Sequence, residues 1–383
     1  MKRTLLALVM GCTWPSYVHS QSAVDIHLVE TIDIVSVVRG GDRDRTYALD
    51  DMDLTADADL TKLIGWHGAT GHVHVMNTMG GQPNDAAATL QGVDNIEVAS
   101  HHVRLFEAWV EQRLGRHTTV RTGVYDLNSE FYVNGSAGLL ISPAFGVGSE
   151  LAATGPNGPS IFPATALAVR VEHRMGQGAY VRAALLNGSA GCLGDPNGVD
   201  FSFRSGVLAI GEVGLERSGL KLAAGYWRYS KRHDDYTAVD GDGVAAQRRD
   251  HGGYLLAEMQ LLGGEGRRAL TAFGRAGMSG GSTTPFQGGW QAGILVERLV
   301  AGRPDSAASF GVSRGVTTRG YRAMLVDQGQ PAARGETSFE LTYSDRVSKW
   351  LTVQPDLQLV ADRGGVNKAR AVLVGMLRLT IDF

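Results

Sequence analysis

Over residues 371–383, AVLVGMLRLTIDF, every second residue counted back from Phe383 is apolar or small: Ile381, Leu379, Leu377, Gly375, Leu373 and Ala371. The interleaved Asp382, Thr380, Arg378 and Met376 carry the polar groups. A period of two places the two sets on opposite faces of a strand. Such a segment, ending on an aromatic residue, suits the closing strand of an outer-membrane barrel and equally the last strand of a soluble sandwich. The clearest repeat of the pattern is 51–60, DMDLTADADL. There Asp51, Asp53, Thr55, Asp57 and Asp59 share one face, and Met52, Leu54, Ala56, Ala58 and Leu60 the other. Leu351, Val353, Leu357 and Leu359 alternate with Thr352, Gln354, Asp356 and Gln358, and Leu167, Val169 and Val171 with Arg170, Glu172 and Arg174.

Read this way, the chain predicts strands at 26–38, 52–60, 69–77, 103–112, 118–125, 165–174, 179–187, 207–216, 220–229, 253–262, 269–277, 289–298, 307–314, 337–345, 350–360 and 371–383. Sixteen is an even number, and most segments approach the roughly nine to eleven residues of a tilted membrane strand. The connections decide between barrel and sandwich. From 61–68 onward they run short and long in turn: 78–102, 113–117, 126–164, 175–178, 188–206, 217–219, 230–252, 263–268. Short turns on one rim and long loops on the other characterise bacterial outer-membrane barrels, and a sandwich has no reason to keep that order. The predicted fold is therefore an all-β, transmembrane antiparallel barrel with both termini periplasmic. Its longest connection, 126–164, is the third external loop. It carries Phe131, Tyr132, Leu139, Leu140, Ile141, Phe145, Ile161 and Phe162, too much apolar surface to leave in water. It is expected to fold into the lumen and narrow it, the alternative being packing outside against a neighbouring subunit or lipid headgroups.

Composition adds the compartment. Lys2 and Arg3, an apolar run to Met10 and small residues before Gln21 read as a signal peptide over 1–20, leaving 21–383 as one barrel domain. Val9-Met10-Gly11-Cys12 is a second possible cleavage box. Beyond the signal, Cys192 is the sole cysteine, so no internal disulfide and no cysteine metal site is expected. The 51 glycines and 11 prolines suit many strands and tight turns, and a net charge of −3 offers no basic face for nucleic acid.

Several stretches resemble one family. Tyr125-Asp126-Leu127-Asn128-Ser129-Glu130-Phe131 and Gly155-Pro156-Asn157-Gly158-Pro159-Ser160-Ile161-Phe162-Pro163 are similar to signature stretches of the OprB-type carbohydrate-selective porins. So are Asn77-Thr78-Met79-Gly80-Gly81, Leu90-Gln91-Gly92-Val93, Asn95-Ile96-Glu97 and Gln354-Pro355-Asp356-Leu357-Gln358. The resemblance spans nearly the whole mature chain. It implies a sixteen-stranded porin admitting small sugars such as glucose by passive diffusion, with Phe383 part of the signal read by the barrel-assembly machinery. A general or anion-selective diffusion porin is the alternative, although the aspartates of 52–60 argue against a basic pore. A barrel enzyme is the third reading; no GxSxG elbow and no serine with an evident histidine partner supports it. No enzymatic activity and no cofactor or metal is expected.

A pore favouring sugars needs aromatic faces for the CH surfaces and both signs of charge for the hydroxyls. Parity supplies candidates, with a structural, lumen-charge role as the alternative for each. Glu107, Trp109 and Glu111 share a face of 103–112, opposite Phe106, Ala108 and Val110. Arg121 and Tyr125 share a face just before the long loop, Asp126 and Glu130 lie in it, and Arg170, Glu172 and Arg174 follow it. His72 and His74, near His67, share a face of 69–77; they read as lumen histidines rather than metal ligands. Asp240-Gly241-Asp242-Gly243 resembles part of a calcium loop but lacks the later ligands. Lys231, Arg232, Arg248 and Arg249 in the same external loop would meet lipopolysaccharide phosphates or water. Outer-membrane lipid surrounds such a barrel, and the chain alone leaves monomer and homotrimer open.

Overall fold

Alternating segments of this kind bury one face against lipid and one against the lumen only if every backbone hydrogen bond is made between strands. The computed structural model of the protein describes residues 22–383 except 193, 194, 196, 265 and 281; the expected signal peptide lies outside the described residues. In chain order the strands are β1 (Val24–Arg39), β2 (Arg45–Asp59), β3 (Ala69–Gly80), β4 (His102–Leu114), β5 (Thr118–Tyr125), β6 (Ala166–Arg174), β7 (Ala179–Asn187), β8 (Val207–Arg217) and β9 (Leu220–Tyr229). A small hairpin, β10 (His233–Val239) and β11 (Ala245–Arg248), interrupts the series. It continues with β12 (His251–Leu262), β13 (Ala269–Ser279), β14 (Phe286–Glu297), β15 (Ala307–Thr317), β16 (Gly335–Arg346), β17 (Leu351–Ala361) and β18 (Val372–Asp382). All except β10 and β11 form one closed antiparallel barrel of sixteen strands, each paired with its sequence neighbour in the series, and β18 pairs with β1 to remove the last edge. Among the described residues no helix is long and apolar enough to cross a membrane.

All sixteen expected segments are present, most within a few residues. The largest difference is β2, which begins at Arg45 because its full length pairs with β1 from Val24↔Ala58 to Val37↔Arg45. The loop at 240–243 is the turn of the β10–β11 hairpin: the Asp240 carboxylate accepts from the Asp242 and Val244 amides, both at 3.0 Å. The connections 60–68, 115–117, 175–178, 218–219, 263–268, 298–306 and 347–350 lie on the rim that holds both ends of the sheet; the opposite rim carries the long loops together with two short connections, 40–44 and 280–285.

The barrel is inside-out relative to a soluble fold. Leu54, Val73, Val169, Val171, Leu185, Leu222, Leu255, Met259, Leu341 and Leu357 are exposed on its outer wall, whereas Arg170, Glu172, Arg182, Glu212, Arg275, Glu336, Glu340 and Gln358 are buried inside. That inversion is what lipid on one side and a polar interior on the other require. One parity assignment is corrected. Strand β4 carries a bulge, since His74 pairs with Glu107 but Val75 with Leu105, leaving Phe106 as the extra residue. Phe106 therefore turns inward with Glu107, edge-on to His74 at 5.1 Å and beside Phe162 at 6.3 Å.

The long loop crosses the lumen, and each step of its path is held by an inward-facing wall residue. The Tyr132 amide donates to Glu212 of β8 (3.1 Å), and Lys221 of β9 donates to the Val133 carbonyl (2.8 Å). Asn134 donates to the Ala257 carbonyl and the Ser136 amide to Glu258, both on β12. Arg275 of β13 donates to the carbonyls of Tyr132, Ala144 and Gly146. Glu340 of β16 accepts from the Ile141 and Ser142 amides, and Gln354 of β17 donates to the Leu139 carbonyl. Each carboxylate answers backbone N–H groups that insertion strips of water, a requirement worth about 1–3 kcal/mol per group.

A second loop, 81–101, also folds inward, a placement the sequence reading does not predict. Its Leu90 and Gln91 amides donate to Glu336, and its Val93 carbonyl accepts from Gln358. Ala86, Ala87, Val93 and Ile96 pack on Val35, Val37, Leu49, Val360, Val372, Val374 and Met376. Those inward valines on β1 and β18 have apolar partners because this loop covers them.

Candidate functional site

Where β4, β5 and β6 meet the start of the long loop, their inward residues form one charged network. Register sets it up: Trp109 pairs with Gly123, Glu111 with Arg121 and Arg121 with Arg170. Two guanidinium groups side by side need carboxylates between them. Glu130, brought back by the loop, takes Arg170 in a bidentate contact, Nε–Oε2 2.8 Å and Nη2–Oε1 2.6 Å. Glu111 bridges the two arginines, 2.7 Å from Arg170 Nη2 and 3.1 Å from Arg121 Nη2. Thr119 accepts from Arg170 Nη1 at 2.7 Å, and the Tyr125 hydroxyl donates to Glu130 at 2.5 Å. The Arg121 guanidinium lies 3.7 Å above the Trp109 ring and 5.2 Å from that of Tyr125.

Exposure divides the candidates. Arg170 is 1 % exposed, and Tyr125 and Glu172 are equally buried; these hold the wall together and present no surface to a solute. Arg121, Glu111 and Glu130 keep 14–16 % of their side chains open, and Glu107 12 %. Trp109 is half-buried beneath Arg121. Asp126 caps the short turn Leu127–Ser129 by accepting from the Asn128 amide, while its own amide donates to Glu107 at 2.9 Å. Glu172 belongs to a neighbouring network, 2.8 Å from Arg174 and 2.9 Å from Arg182. The structure thus brings Glu111, Arg121, Tyr125, Glu130 and Arg170 together, lays Trp109 against them, and sets Glu172 apart.

Sequence reasoning missed Arg182 and Arg275. Arg182 donates to the Glu130 carbonyl and lies 4.7 Å from the Tyr180 ring centre; the signal for it was its pairing across β6–β7 with Glu172. Burial pushes the Glu130 carboxyl up, but Arg121, Arg170 and Arg182 more than offset this and hold it at about 2, against an ordinary 4.5. A lowered value means the ionised group stabilises the folded state fully above the ordinary value and loses that contribution as pH falls through about 2. The stability difference between wild type and Glu130→Gln, read from urea unfolding in detergent, is therefore constant from pH 7 to 5 and closes only as pH drops from about 4.5 towards 2. A gap that closed already near pH 5 would contradict the ion-pair geometry.

Comparison with known proteins places the chain. The family model described as "Carbohydrate-selective porin, OprB family" matches residues 44–383. Porin B of Pseudomonas aeruginosa is 24 % identical over 253 residues, 58 % of this chain and 56 % of that protein, so the match spans about half the length of that curated relative. The high-pH structure of Pseudomonas putida OprB superposes with a TM-score of 0.83 at 22 % identity, covering 94 % of each chain. The outer-membrane channel DcaP of Acinetobacter baumannii superposes at 0.59 with 9 % identity, over 94 % of this chain and 97 % of that one. The two structural likenesses carry the fold, and the family model carries the lineage: the chain belongs to the OprB family of carbohydrate-selective porins.

Proposed function

We infer that the barrel is a passive outer-membrane channel for small neutral sugars, with the partly open surface of Trp109, Arg121, Glu111 and Glu130 as its selective zone. The observation that supports this reading most is the stack of Arg121 on Trp109 beside two carboxylates. An aromatic face accepts the CH side of a pyranose, a guanidinium donates to its hydroxyls and carboxylates accept from them. Both signs of charge sit within a few ångströms, so the zone offers a hydroxyl-rich solute many partners and a lone ion little net field. Sites of this kind bind weakly enough to release, and the gradient supplies the drive. Transport of this kind involves no chemical step on the solute. Outside the pore, Lys231 and Arg232 before β10 and Arg248 at the end of β11 are exposed, where lipopolysaccharide phosphates would be their partners.

Planar-bilayer recording with glucose and larger sugars tests the reading. Sugar should lower ion conductance in a saturable way. Trp109→Ala should weaken that block by about fivefold to thirtyfold, the equivalent of about 1–2 kcal/mol of stacking and cation–π contact. Conductance indifferent to every sugar would leave a general diffusion porin, and block unchanged by Trp109→Ala or Arg121→Ala would move the selective zone elsewhere.

A further inference from the structure

We propose that His72, His74 and Glu107 form a binding site for one late first-row divalent cation, of the Zn²⁺ or Cu²⁺ class, in the lumen wall beside Trp109. One ligand atom from each of the three lies within 4.8 Å of the others. His72 and His74 are neighbours on the inward face of β3, and the β4 bulge sets Glu107 directly across from His74. Glu107 divides its oxygens: Oε1 accepts from the Asp126 amide at 2.9 Å, and Oε2 lies 3.8 Å from His72 Nε2. Metal bonds of about 2.0–2.2 Å place tetrahedral ligands about 3.3 Å apart. A shift of about half an ångström in Glu107 would close that gap.

The neighbouring strand β2 supplies supporting carboxylates. Asp57 of β2 lies 2.7 Å from His72 Nδ1, and Asp53 lies 2.6 Å from His74 Nε2. A carboxylate on one imidazole nitrogen fixes the ring's orientation and leaves the other nitrogen to a ligand; metal-bound histidines are supported in this way. The second nitrogen of His72, Nε2, faces a Glu107 carboxylate oxygen across 3.8 Å. Three adjacent strands thus supply supporting carboxylates (β2), two imidazoles (β3) and a third ligand (β4). Two imidazoles and one carboxylate suit zinc and copper and leave a coordination position open to water or solute, whereas calcium and magnesium favour all-oxygen sites. The three ligand side chains are 12–15 % exposed, so an ion in the channel water reaches them. The His72 ring also stacks on Trp109, centroids 5.0 Å apart and 20° from parallel, which gives the site an optical reporter.

The test uses the tag-free, folded barrel in detergent, stripped with a chelator and titrated with Zn²⁺ or Cu²⁺ alone. The expected result is one saturable site per chain, unaffected by excess Mg²⁺ or Ca²⁺. Binding should be weakened at least tenfold by His72→Gln or His74→Gln and by a smaller factor by Asp57→Asn. Cu²⁺ should quench part of the tryptophan fluorescence, and Trp109→Phe should remove that part. Binding that survives the His72→Gln/His74→Gln double variant, or that Mg²⁺ displaces, would overturn the site. Electron paramagnetic resonance of the Cu²⁺-loaded wild type stands apart from whether any variant folds: coupling to two nitrogens supports the assignment, and an all-oxygen signal refutes it.

Discussion

Arg170→Met is expected to loosen the long loop from the wall without unfolding the barrel. Arg170 is 1 % exposed and makes contacts with Glu130, Glu111 and Thr119 at 2.6–2.8 Å. Methionine keeps most of the volume but leaves Glu111 and Glu130 facing each other with Arg121 alone between them, at 3.1 and 3.6 Å. Removing one member of a buried ionic cluster costs about 3–5 kcal/mol, because the partners stay desolvated and unpaired. Each 1.4 kcal/mol is tenfold, so the loop's opening equilibrium rises by about two to three and a half orders of magnitude. The sheet registers do not depend on this residue, so the loss concentrates in the loop. Single-channel currents should become larger and noisier, sugar block should fade, and protease should cut between 126 and 165 where the wild type resists. Arg170→Lys keeps the charge but loses the planar fork, so an intermediate effect is expected. Quiet, wild-type currents in the methionine variant would mean that other anchors hold the loop.

Those other anchors are the part of the molecule least legible beforehand. Strand parity was readable because each side of the wall has its own solvent: 51–60 and 371–383 put carboxylates and Arg378 inside and leucines outside, as the structure does. The even strand count and the short–long alternation followed from the same periodicity. The bulge at Phe106 left a mark that the parity assignment did not use: apolar Val103 and Leu105 share the phase of Glu107 and Glu111, so the alternation changes phase there, and the pairing with β3 shows why. Loop 81–101 carried a usable signal in Val93, Ile96 and Val98, the same apolar excess that drew the longer loop inward. Its destination depended on the valines of β1 and β18, far away in the chain. Arg275 lay in one of the least regular segments, and its work is to bind loop carbonyls, a tertiary role no spacing encodes. The candidate site divides likewise. Parity collected residues that do face inward, but burial, which parity cannot see, separates Arg170, Tyr125 and Glu172 as framework from Arg121, Trp109, Glu111 and Glu130 as surface.

Arg378→Met is the second substitution with a large expected effect, and it acts on closure of the barrel itself. Asp33 of β1 and Arg378 of β18 are direct partners across the seam where the last strand meets the first. The contact is bidentate, Nε–Oδ1 2.8 Å and Nη2–Oδ2 2.5 Å, with Asp33 wholly buried and Asn95 of the inner loop accepting from the same Nη2 at 2.6 Å. The single change strands a buried carboxylate at the junction that closes the barrel, at a cost of about 3–5 kcal/mol. Chain ends are brought together there at the greatest loop-closure cost in the fold. Assembly should suffer along with stability: a lower yield of the compact SDS-resistant species, and a lower urea midpoint in what does fold. Asp33→Asn should cost less, since the amide still hydrogen-bonds the guanidinium while the carboxylate charge is gone. The Asp33→Leu/Arg378→Met double variant decides the interpretation. With both charges removed and the volume kept, stability should return to within about 1–2 kcal/mol of wild type, as for other buried pairs replaced by apolar residues. A double variant as weak as the sum of its single changes would show that Arg378 acts through the inner loop, where it faces the buried Asp94 at 3.8 Å and Asn95 at 2.6 Å, and not through the seam.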